Sequence, residues 1–157
     1  MIHDLQHMSD LDQFDRKILR TLSGDGRLSN VELAAVVGLS PSACLRRVQA
    51  LERSGAIAGY RAVISPQARG VAFLAYMTVG LSRHTRAEQA AFEQAMQRAP
   101  EVRECHNVTG TVEYLLRVEA ADLASYKHFH TEVLGALDQV ATITSYIVMG
   151  SPKDERA

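Results

Sequence analysis

The spacing of apolar residues changes its period partway along the chain, and this change constrains the fold more than any other feature. Over residues 11–54 the apolar side chains recur at helical spacing, whereas from residue 72 onward strand-like runs alternate with helical ones. The stretch between, residues 55–70, holds three glycines and a proline around a short strand-like segment, Tyr60–Ile64. The pattern predicts two domains, with boundaries at residues 10–60, a linker at 61–71 and residues 72–150.

Charge and hydropathy exclude several functional classes. The 157 residues carry 17 Lys and Arg against 18 Asp and Glu, so the chain does not coat nucleic acid by bulk electrostatics, and any such contact must be local. The longest apolar run, Val71–Met77, is far shorter than the roughly 20 residues that span a bilayer. Asp4 lies where a signal peptide would carry Lys or Arg. We therefore expect a cytoplasmic protein without a membrane span.

Three short helices are predicted in the first domain. Apolar spacing indicates a helix over residues 12–23, and the Ser29 to Glu32 capping box starts a second one. Ser40 followed by proline then provides the N-cap and first turn of a third helix over residues 41–53. Because the turn between the second and third helices is so tight, the two must cross steeply. This geometry is that of a helix-turn-helix.

The third helix has one apolar and one basic face. At about 100° per residue, the inward positions are Leu45, Val48 and Leu51, with Cys44 and Glu52 at the flanks. The stretch 41–61 contains four arginines and one glutamate, a local positive excess in a nearly neutral chain. We expect this basic face to enter a DNA major groove. The predicted contact residues are Ser40, Ser42, Arg46, Arg47, Gln49, Ala50 and Arg53.

The side chains of this face suit direct readout of DNA. Arginine forks fit guanine O6 and N7 or phosphate, Gln49 fits an adenine edge, and Ser42 can donate to phosphate. Two other interpretations remain open: the face is merely solvated, or it binds another protein in a ligand-responsive interaction module. Cys44 likewise has two interpretations, as a packing residue or as a redox sensor.

The second domain has the element order β-α-β-β-α-β. This order is typical of the α+β ferredoxin-like fold, in which both helices cover one face of a four-stranded antiparallel sheet. Leu123 is among the residues predicted to face inward from the second helix. Since the first strand is apolar on both sides, the open face of the sheet needs a partner, and we expect a homodimer. The predicted ranges are strands at 72–81, 102–109, 112–119 and 142–149, and helices at 85–99 and 122–137.

Catalytic and metal-binding motifs are weak. Cys44 and Cys105 form no Cys-x-x-Cys pair, and the six histidines form no His-x-x-x-His pair, so neither a disulfide framework nor a metal site is indicated. Glu104 and His106 share a strand face, either as an acid/base pair or as a hydrogen-bonded polar spot. A small enzyme using Glu104, His106 and Glu113 is a further hypothesis. We expect no enzymatic activity and no cofactor.

Motifs in both halves resemble those of one family of regulators. They are Leu11-Asp12-x-x-Asp15-x-x-Ile18-Leu19-x-x-Leu22, Gly26-Arg27-x-Ser29-x-x-Glu32-Leu33-Ala34, Gly38-Leu39-Ser40, Arg47-Val48-x-x-Leu51-Glu52, Gly55-x-Ile57-x-Gly59-Tyr60, Pro100-Glu-Val102-x-Glu104-Cys105-His106-x-Val108-Thr109-Gly110, Tyr114-Leu115-Leu116, Ser125-Tyr126 and Tyr146-Ile147-Val148-Met149. The chain is therefore similar to the leucine-responsive and asparagine-synthesis regulators, the Lrp/AsnC family, over residues 10–150. The resemblance implies a transcription factor with a winged helix-turn-helix and an α+β domain that dimerises, or assembles further, and binds amino acids.

The resemblance also implies an effector site in the loop between the second and third strands. Family members carry Gly-x-x-Asp-Tyr there, and this chain has Gly110-Thr111-Val112-Glu113-Tyr114, with glutamate in place of aspartate. Glu113 can accept from an α-ammonium group and Gly110 allows close backbone approach, although a solvent-facing charge and simple hairpin geometry are equally open. The expected effector residues are Thr109, Gly110, Glu113, Tyr114 and Thr144. The effector, the DNA target and the direction of regulation cannot be read from the residues.

Overall fold

A computed structural model describes residues 11–154, and this part of the chain divides into two compact units at Val63 and Ile64. The division falls inside the expected linker. Asp4, on which the expectation about a signal peptide rests, lies outside the described residues. None of the helices within residues 11–154 has the length and apolar character needed to cross a membrane.

The N-terminal unit consists of three capped helices: α1 (Gln13–Gly24), α2 (Asn30–Val37) and α3 (Pro41–Arg53). Asp12 caps α1 in a capping box with Asp15, and Ser29 caps α2 in a second box with Glu32. Each box satisfies two backbone N–H groups with side chains only three residues apart, which sets the helix start locally. The predicted helix-turn-helix is confirmed.

A small apolar core lies between the three helices and corrects the predicted phase of α3. Cys44 is fully buried, whereas Leu45, predicted to face inward, is 46% exposed. The buried stripe passes through Cys44, Val48 and Leu51, and the next position along a helix is turned about 100° away from such a stripe. The other buried residues of this core are Ile18, Leu33, Ala34 and Val37.

The linker contains no strand. The expected strand at Tyr60–Ile64 is wrong, since residues 58–65 have no regular secondary structure. After this segment the chain forms a short 3₁₀ turn, Gln67–Arg69, and Ala72 N–H donates to the carbonyl of Ala120 at 3.2 Å. The second half of the expected linker is thus fixed to the C-terminal unit.

The C-terminal unit is a four-stranded antiparallel sheet with strand order β2-β3-β1-β4, which confirms the ferredoxin-like layout. The apolar side of β1 packs beneath the helices, with Ala75, Met77 and Val79 fully buried there. The elements are β1 (Phe73–Leu81), α4 (Arg86–Arg98), β2 (Val102–Asn107), β3 (Tyr114–Ala120), α5 (Leu123–His128), a π-helical segment (Phe129–Leu134) and β4 (Val140–Ile147).

The second helix of this unit differs from the prediction because it changes pitch. It begins as α5 and continues as a π-helix, in which Gly135 N–H donates to the carbonyl of His130 at 3.0 Å. The wider turn lets both Phe129 and Leu134 reach the core. Leu123, predicted to face inward, is 64% exposed.

The loop between β2 and β3 is longer than predicted. The strands end at Asn107 and restart at Tyr114, leaving a six-residue loop of residues 108–113. Val108 N–H donates to the carbonyl of Glu113 at 2.8 Å and closes the loop at its base. We call residues 108–113 the β2–β3 loop.

The open face of the sheet is less apolar than expected. Register pairs Glu104 with Arg117 and Leu74 with Glu119, so charged side chains alternate with apolar ones on this side. Tyr146 also lies on this face, because its neighbour Ser145 points to the helix side and accepts a hydrogen bond from Tyr126. The apolar character predicted for the second side of the first strand therefore does not extend to β2 and β3.

Candidate DNA interface and effector site

Six of the seven residues predicted to contact DNA are exposed, five of them on α3 and one at its N-cap. Ser42, Arg46 and Gln49 recur at spacings of four and three residues, which places them on one side of the helix. Ser40 is the N-cap, and its hydroxyl accepts from Ala43 N–H at 3.3 Å. The exposed members of the predicted set are Ser40, Ser42, Arg46, Gln49, Ala50 and Arg53.

Short-range contacts fix both ends of α3. At its start, the Asn30 side-chain amide donates to the carbonyl of Pro41 at 2.7 Å, which connects α2 to α3. At its end, Gly55 adopts φ +77°, and Ile57 N–H donates to the carbonyl of Leu51 at 3.0 Å. The positive φ is readily reached only without a Cβ, which explains glycine at that turn. The basic face is therefore presented by a helix held at both ends.

Arg47 differs from the rest of the predicted set because acidic residues of α1 hold its guanidinium. Its Nη1 lies 2.8 Å from Asp12 Oδ2 and 2.9 Å from Asp15 Oδ1, and its Cζ lies 5.4 Å from the centroid of the Phe14 ring. The bonds to Asp15 and Asp12 raise the pKa of Arg47. The Asp15 backbone N–H and Arg47 lower the pKa of Asp12. In this structure Arg47 thus joins α3 to α1.

The β2–β3 loop holds Glu113 in a position that neither sequence interpretation anticipated. Its Oε2 accepts from Leu81 N–H at 2.7 Å, and its Oε1 lies 3.1 Å from His84 Nδ1. The carboxylate is largely buried, while the His84 side chain is 70% exposed. One carboxylate oxygen therefore stabilises the end of β1, and the other meets a group that is accessible from solvent.

Tyr114 belongs to the core. Its ring is fully buried, its centroid lies 4.4 Å from that of Phe92, and its hydroxyl donates to Glu93 Oε1 at 2.9 Å. Burial and this bond raise the pKa of Tyr114 to about 12. The ring supports the loop from below, whereas Thr109 and Gly110 are exposed on the loop itself.

The sequence reasoning missed two residues near Glu113, namely Gly80 and His84. Gly80 faces Thr142 across the β1–β4 pair, and a Cβ there would collide with the Thr142 hydroxyl oxygen and come within 3.6 Å of Glu113 Oε2. Thr144, the predicted site residue, is exposed one pleat further along β4, opposite Thr78. The sequence signal for Gly80 was a glycine inside an apolar strand, which often marks a place where another group approaches the backbone closely. His84 had no comparable signal.

The other titratable residues singled out in the sequence are the Glu104 and His106 pair and the two cysteines. His106 Nε2 lies 3.4 Å from Glu104 Oε2 on the open face of the sheet. Burial, with the nearby Glu93, raises the pKa of the Cys105 thiol to about 11, and burial also raises the pKa of Cys44. Within the described residues, no three His, Cys, Asp or Glu side chains are grouped so that they could hold a metal ion.

Comparison with known proteins matches both units. The profile of a winged helix-turn-helix DNA-binding domain matches residues 11–58, and that of the Lrp/AsnC ligand binding domain matches residues 74–157. The leucine-responsive regulatory proteins of Klebsiella pneumoniae and Escherichia coli K12 are each 41% identical over 144 residues, 92% of this chain and 88% of theirs.

Solved structures of transcriptional regulators are similar to this chain over both units. A Neisseria meningitidis transcriptional regulator, crystallised as an L-Met complex, superposes with a TM-score of 0.87 at 35% identity, over 92% of this chain and 93% of that one. An AsnC family regulator from Agrobacterium tumefaciens gives 0.86 at 31% identity, over 92% and 94% of the two chains. A DNA-binding unit followed by a ligand-binding domain defines a ligand-responsive transcriptional regulator. The chain belongs to the Lrp/AsnC family of such regulators.

Proposed function

We propose that α3 reads its DNA target through Ser40, Ser42, Arg46, Gln49, Ala50 and Arg53, and that Arg47 supports this helix from behind. The observation that carries the proposal is the split between the two neighbouring arginines: Arg46 is exposed, while Arg47 is held by two carboxylates. Arg46 is thus available for guanine O6 and N7, and Arg53 for phosphate. Because regulation requires access to chromosomal DNA, we infer that the protein works in the cytoplasm.

Selection of sheared host genomic DNA by the purified chain tests this proposal. We expect enrichment of a few upstream regions that share a pseudo-palindrome, and loss of that enrichment in Arg46→Ala/Arg53→Ala. Arg86→Ala/Arg98→Ala, at two exposed arginines of α4 in the other unit, is the control matched in charge. Binding through several phosphates should also weaken steeply with salt. Selective binding that survives in the double variant would contradict the assignment, and salt-insensitive binding to protein alone would favour an interaction module.

We propose further that the open sheet face joins two copies of the chain into a homodimer. Tyr146 of β4 is 58% exposed there, and the same face carries Leu74 of β1 and Leu115 of β3; a second copy would cover all three. Glu104 and Arg117 would then lie near the interface and fix its register. A two-fold dimer also provides two recognition helices for a pseudo-palindromic site.

Analytical ultracentrifugation distinguishes this arrangement from others. The wild type should sediment as a dimer or a larger even assembly, and Tyr146→Asp should shift it towards the monomer. Leu123→Asp, an exposed position on the helix side, should leave the assembly unchanged. A monomeric wild type, or a Tyr146→Asp variant that stays fully dimeric, would contradict the sheet-mediated dimer.

We propose that the effector is an amino acid bound at the β2–β3 loop, with Thr109, Gly110 and Glu113 as its contacts. Glu113 Oε1 faces His84, and an α-ammonium group can replace that imidazole without disturbing the bond from Leu81 N–H. Gly110 leaves space for a carboxylate to approach the backbone. Thr144 can contribute only from further along β4, and Tyr114 acts by supporting the loop.

Calorimetric titration with free amino acids tests the effector site. We expect Glu113→Gln to weaken binding of the responsive amino acid by about tenfold or more, because a charge-assisted hydrogen bond is lost. Glu132→Gln, at an exposed carboxylate, is the matched control. Equal affinity in the Glu113→Gln variant would place the effector elsewhere.

We propose that the protein is a regulator without catalytic activity. The Glu104 and His106 pair lies on the face proposed to join the two copies, and its contact is long for a hydrogen bond at 3.4 Å. A hydrolytic turnover that disappears in His106→Ala would overturn this proposal.

A further inference from the structure

One residue on the DNA-facing side of α3 is apolar. Leu45 is 46% exposed and lies between Ser42, one turn before it, and Gln49, one turn after it. Helix geometry places Ser42, Leu45, Arg46 and Gln49 within an arc of about 100°. An exposed leucine therefore belongs to the same surface as the polar residues proposed to read the bases.

The chemistry of the major groove gives such a residue a defined partner. Thymine presents a C5 methyl group at its major-groove edge, and the other three bases present hydrogen-bonding groups there but no methyl. Leu45 is the fifth residue of α3, and the first half of a recognition helix is the part that meets base edges. Leucine can form neither a hydrogen bond nor a phosphate contact, so methyl contact is what it can add here.

Its charged neighbours favour DNA over a protein partner for this residue. Arg46 follows the leucine directly and Arg53 lies about two turns further along the exposed side of α3, and neither forms a salt bridge with any other described residue. The other strongly exposed aliphatic residues of this unit lie elsewhere, Val31 and Val36 on α2 and Val63 in the linker segment. The apolar contact of α3 is therefore a single side chain within a basic surface.

We propose that Leu45 contacts the C5 methyl group of one thymine in each half-site, next to the base that Arg46 reads, and so helps to set the sequence specificity. This inference rests on the proposed DNA face. It adds a residue that hydrogen-bonding patterns alone would not include.

Replacing thymine by uracil tests the inference, since uracil keeps every hydrogen-bonding group and lacks only the methyl. A duplex selected by the full-length protein is synthesised with deoxyuridine in place of thymidine at one symmetric pair of positions at a time. We expect one such pair to weaken wild-type binding by about 10- to 25-fold, from about three- to fivefold per half-site. In Leu45→Ala and Leu45→Gln the same pair should make no difference, while other positions behave as in the wild type.

Controls separate this inference from the broader DNA assignment. Circular dichroism checks that both variants fold, and Leu123→Ala, an exposed leucine in the other unit, should keep the full uracil effect. Failure of the wild type to bind any selected duplex would remove the DNA assignment itself. Wild-type binding with no uracil-sensitive position, or sensitivity that persists in both Leu45 variants, would overturn the role of Leu45 and leave the DNA assignment intact.

Discussion

Each of the two units contains a cluster of arginines and carboxylates. An arginine is at the centre of the first cluster, and a carboxylate is at the centre of the second. In the N-terminal unit, Asp12 and Asp15 hold one arginine, Arg47, near the surface. In the C-terminal unit, three arginines surround one carboxylate, Glu119, which is 6% exposed. Surface ion pairs contribute little to stability, whereas removing one partner of a buried pair leaves an uncompensated charge. Burial therefore decides which cluster the fold depends on.

The largest expected effect comes from Glu119→Gln. Glu119 accepts from Arg69 Nη1 and Arg117 Nη1, both at 2.7 Å, and loss of its charge leaves Arg69 without a counter-ion and Arg117 with only Glu104, at 3.9 Å. We expect the free energy of unfolding of the C-terminal unit to fall by about 3–5 kcal/mol. Urea denaturation measures it, with Glu132→Gln as the exposed control. A variant as stable as the control would show that burial is not the deciding factor.

A smaller effect is expected from Tyr114→Phe, which removes a hydroxyl from the same unit without changing its charge. The bond to Glu93 is lost and the ring packing against Phe92 is kept, so we expect a loss of about 1 kcal/mol. A spectrophotometric titration should show one tyrosine that ionises only near pH 12, in agreement with a pKa raised to about 12, and that is missing in the variant. Ionisation of all tyrosines near pH 10 would contradict the buried placement.

Arg47→Ala is expected to cost less still, because its cluster is partly hydrated. The link between α3 and α1 weakens, and the melting temperature of the N-terminal unit should fall by a few degrees. Arg46→Ala is the matched control and should leave the melting temperature unchanged, since Arg46 is exposed and forms no salt bridge with the other residues that the structure describes. Scanning calorimetry of both variants makes the comparison. Equal shifts in the two would show that Arg47 does not support the helix.

The smallest effect is the acid sensitivity of the first cluster. The Asp15 backbone N–H and Arg47 lower the pKa of Asp12 below its ordinary value of 3.8, so the folded state keeps this carboxylate charged at a pH where the unfolded chain is already protonated. The stabilisation is present in full above the unfolded pKa and is lost as pH falls through the folded one. The urea midpoint of the wild type should decline below about pH 4 more steeply than that of Asp12→Asn. Parallel curves would contradict this role.

Sequence reasoning performed differently in the two units because their contacts differ in range. The capping boxes of α1 and α2 join residues three positions apart, so the local sequence predicts both helix starts. Glu113, in contrast, is held by Leu81 and His84, about thirty positions away, and no local pattern indicates those partners. The same holds for the buried hydroxyl of Tyr114.

Helix phase was the other source of error, with consequences for the candidate site. Assigning Leu45 to the core required Cys44 at the flank, and the structure reverses the two by a rotation of one residue. Apolar spacing alone cannot separate these registers when a small residue such as cysteine fills a tight contact. The error leaves the predicted fold unchanged. It matters for the face proposed to contact DNA, because the same rotation exposes Leu45 there.

We propose that the adjacent arginines of α3 have different functions, and binding of the selected duplex by Arg46→Ala and Arg47→Ala is the most direct test. We expect Arg46→Ala to weaken specific binding by about 10- to 100-fold with an unchanged melting temperature. Arg47→Ala should lower the melting temperature and, below it, retain most of the sequence discrimination. Full specific binding by Arg46→Ala, with discrimination lost in a folded Arg47→Ala, would show that Arg47 reads the DNA and Arg46 does not.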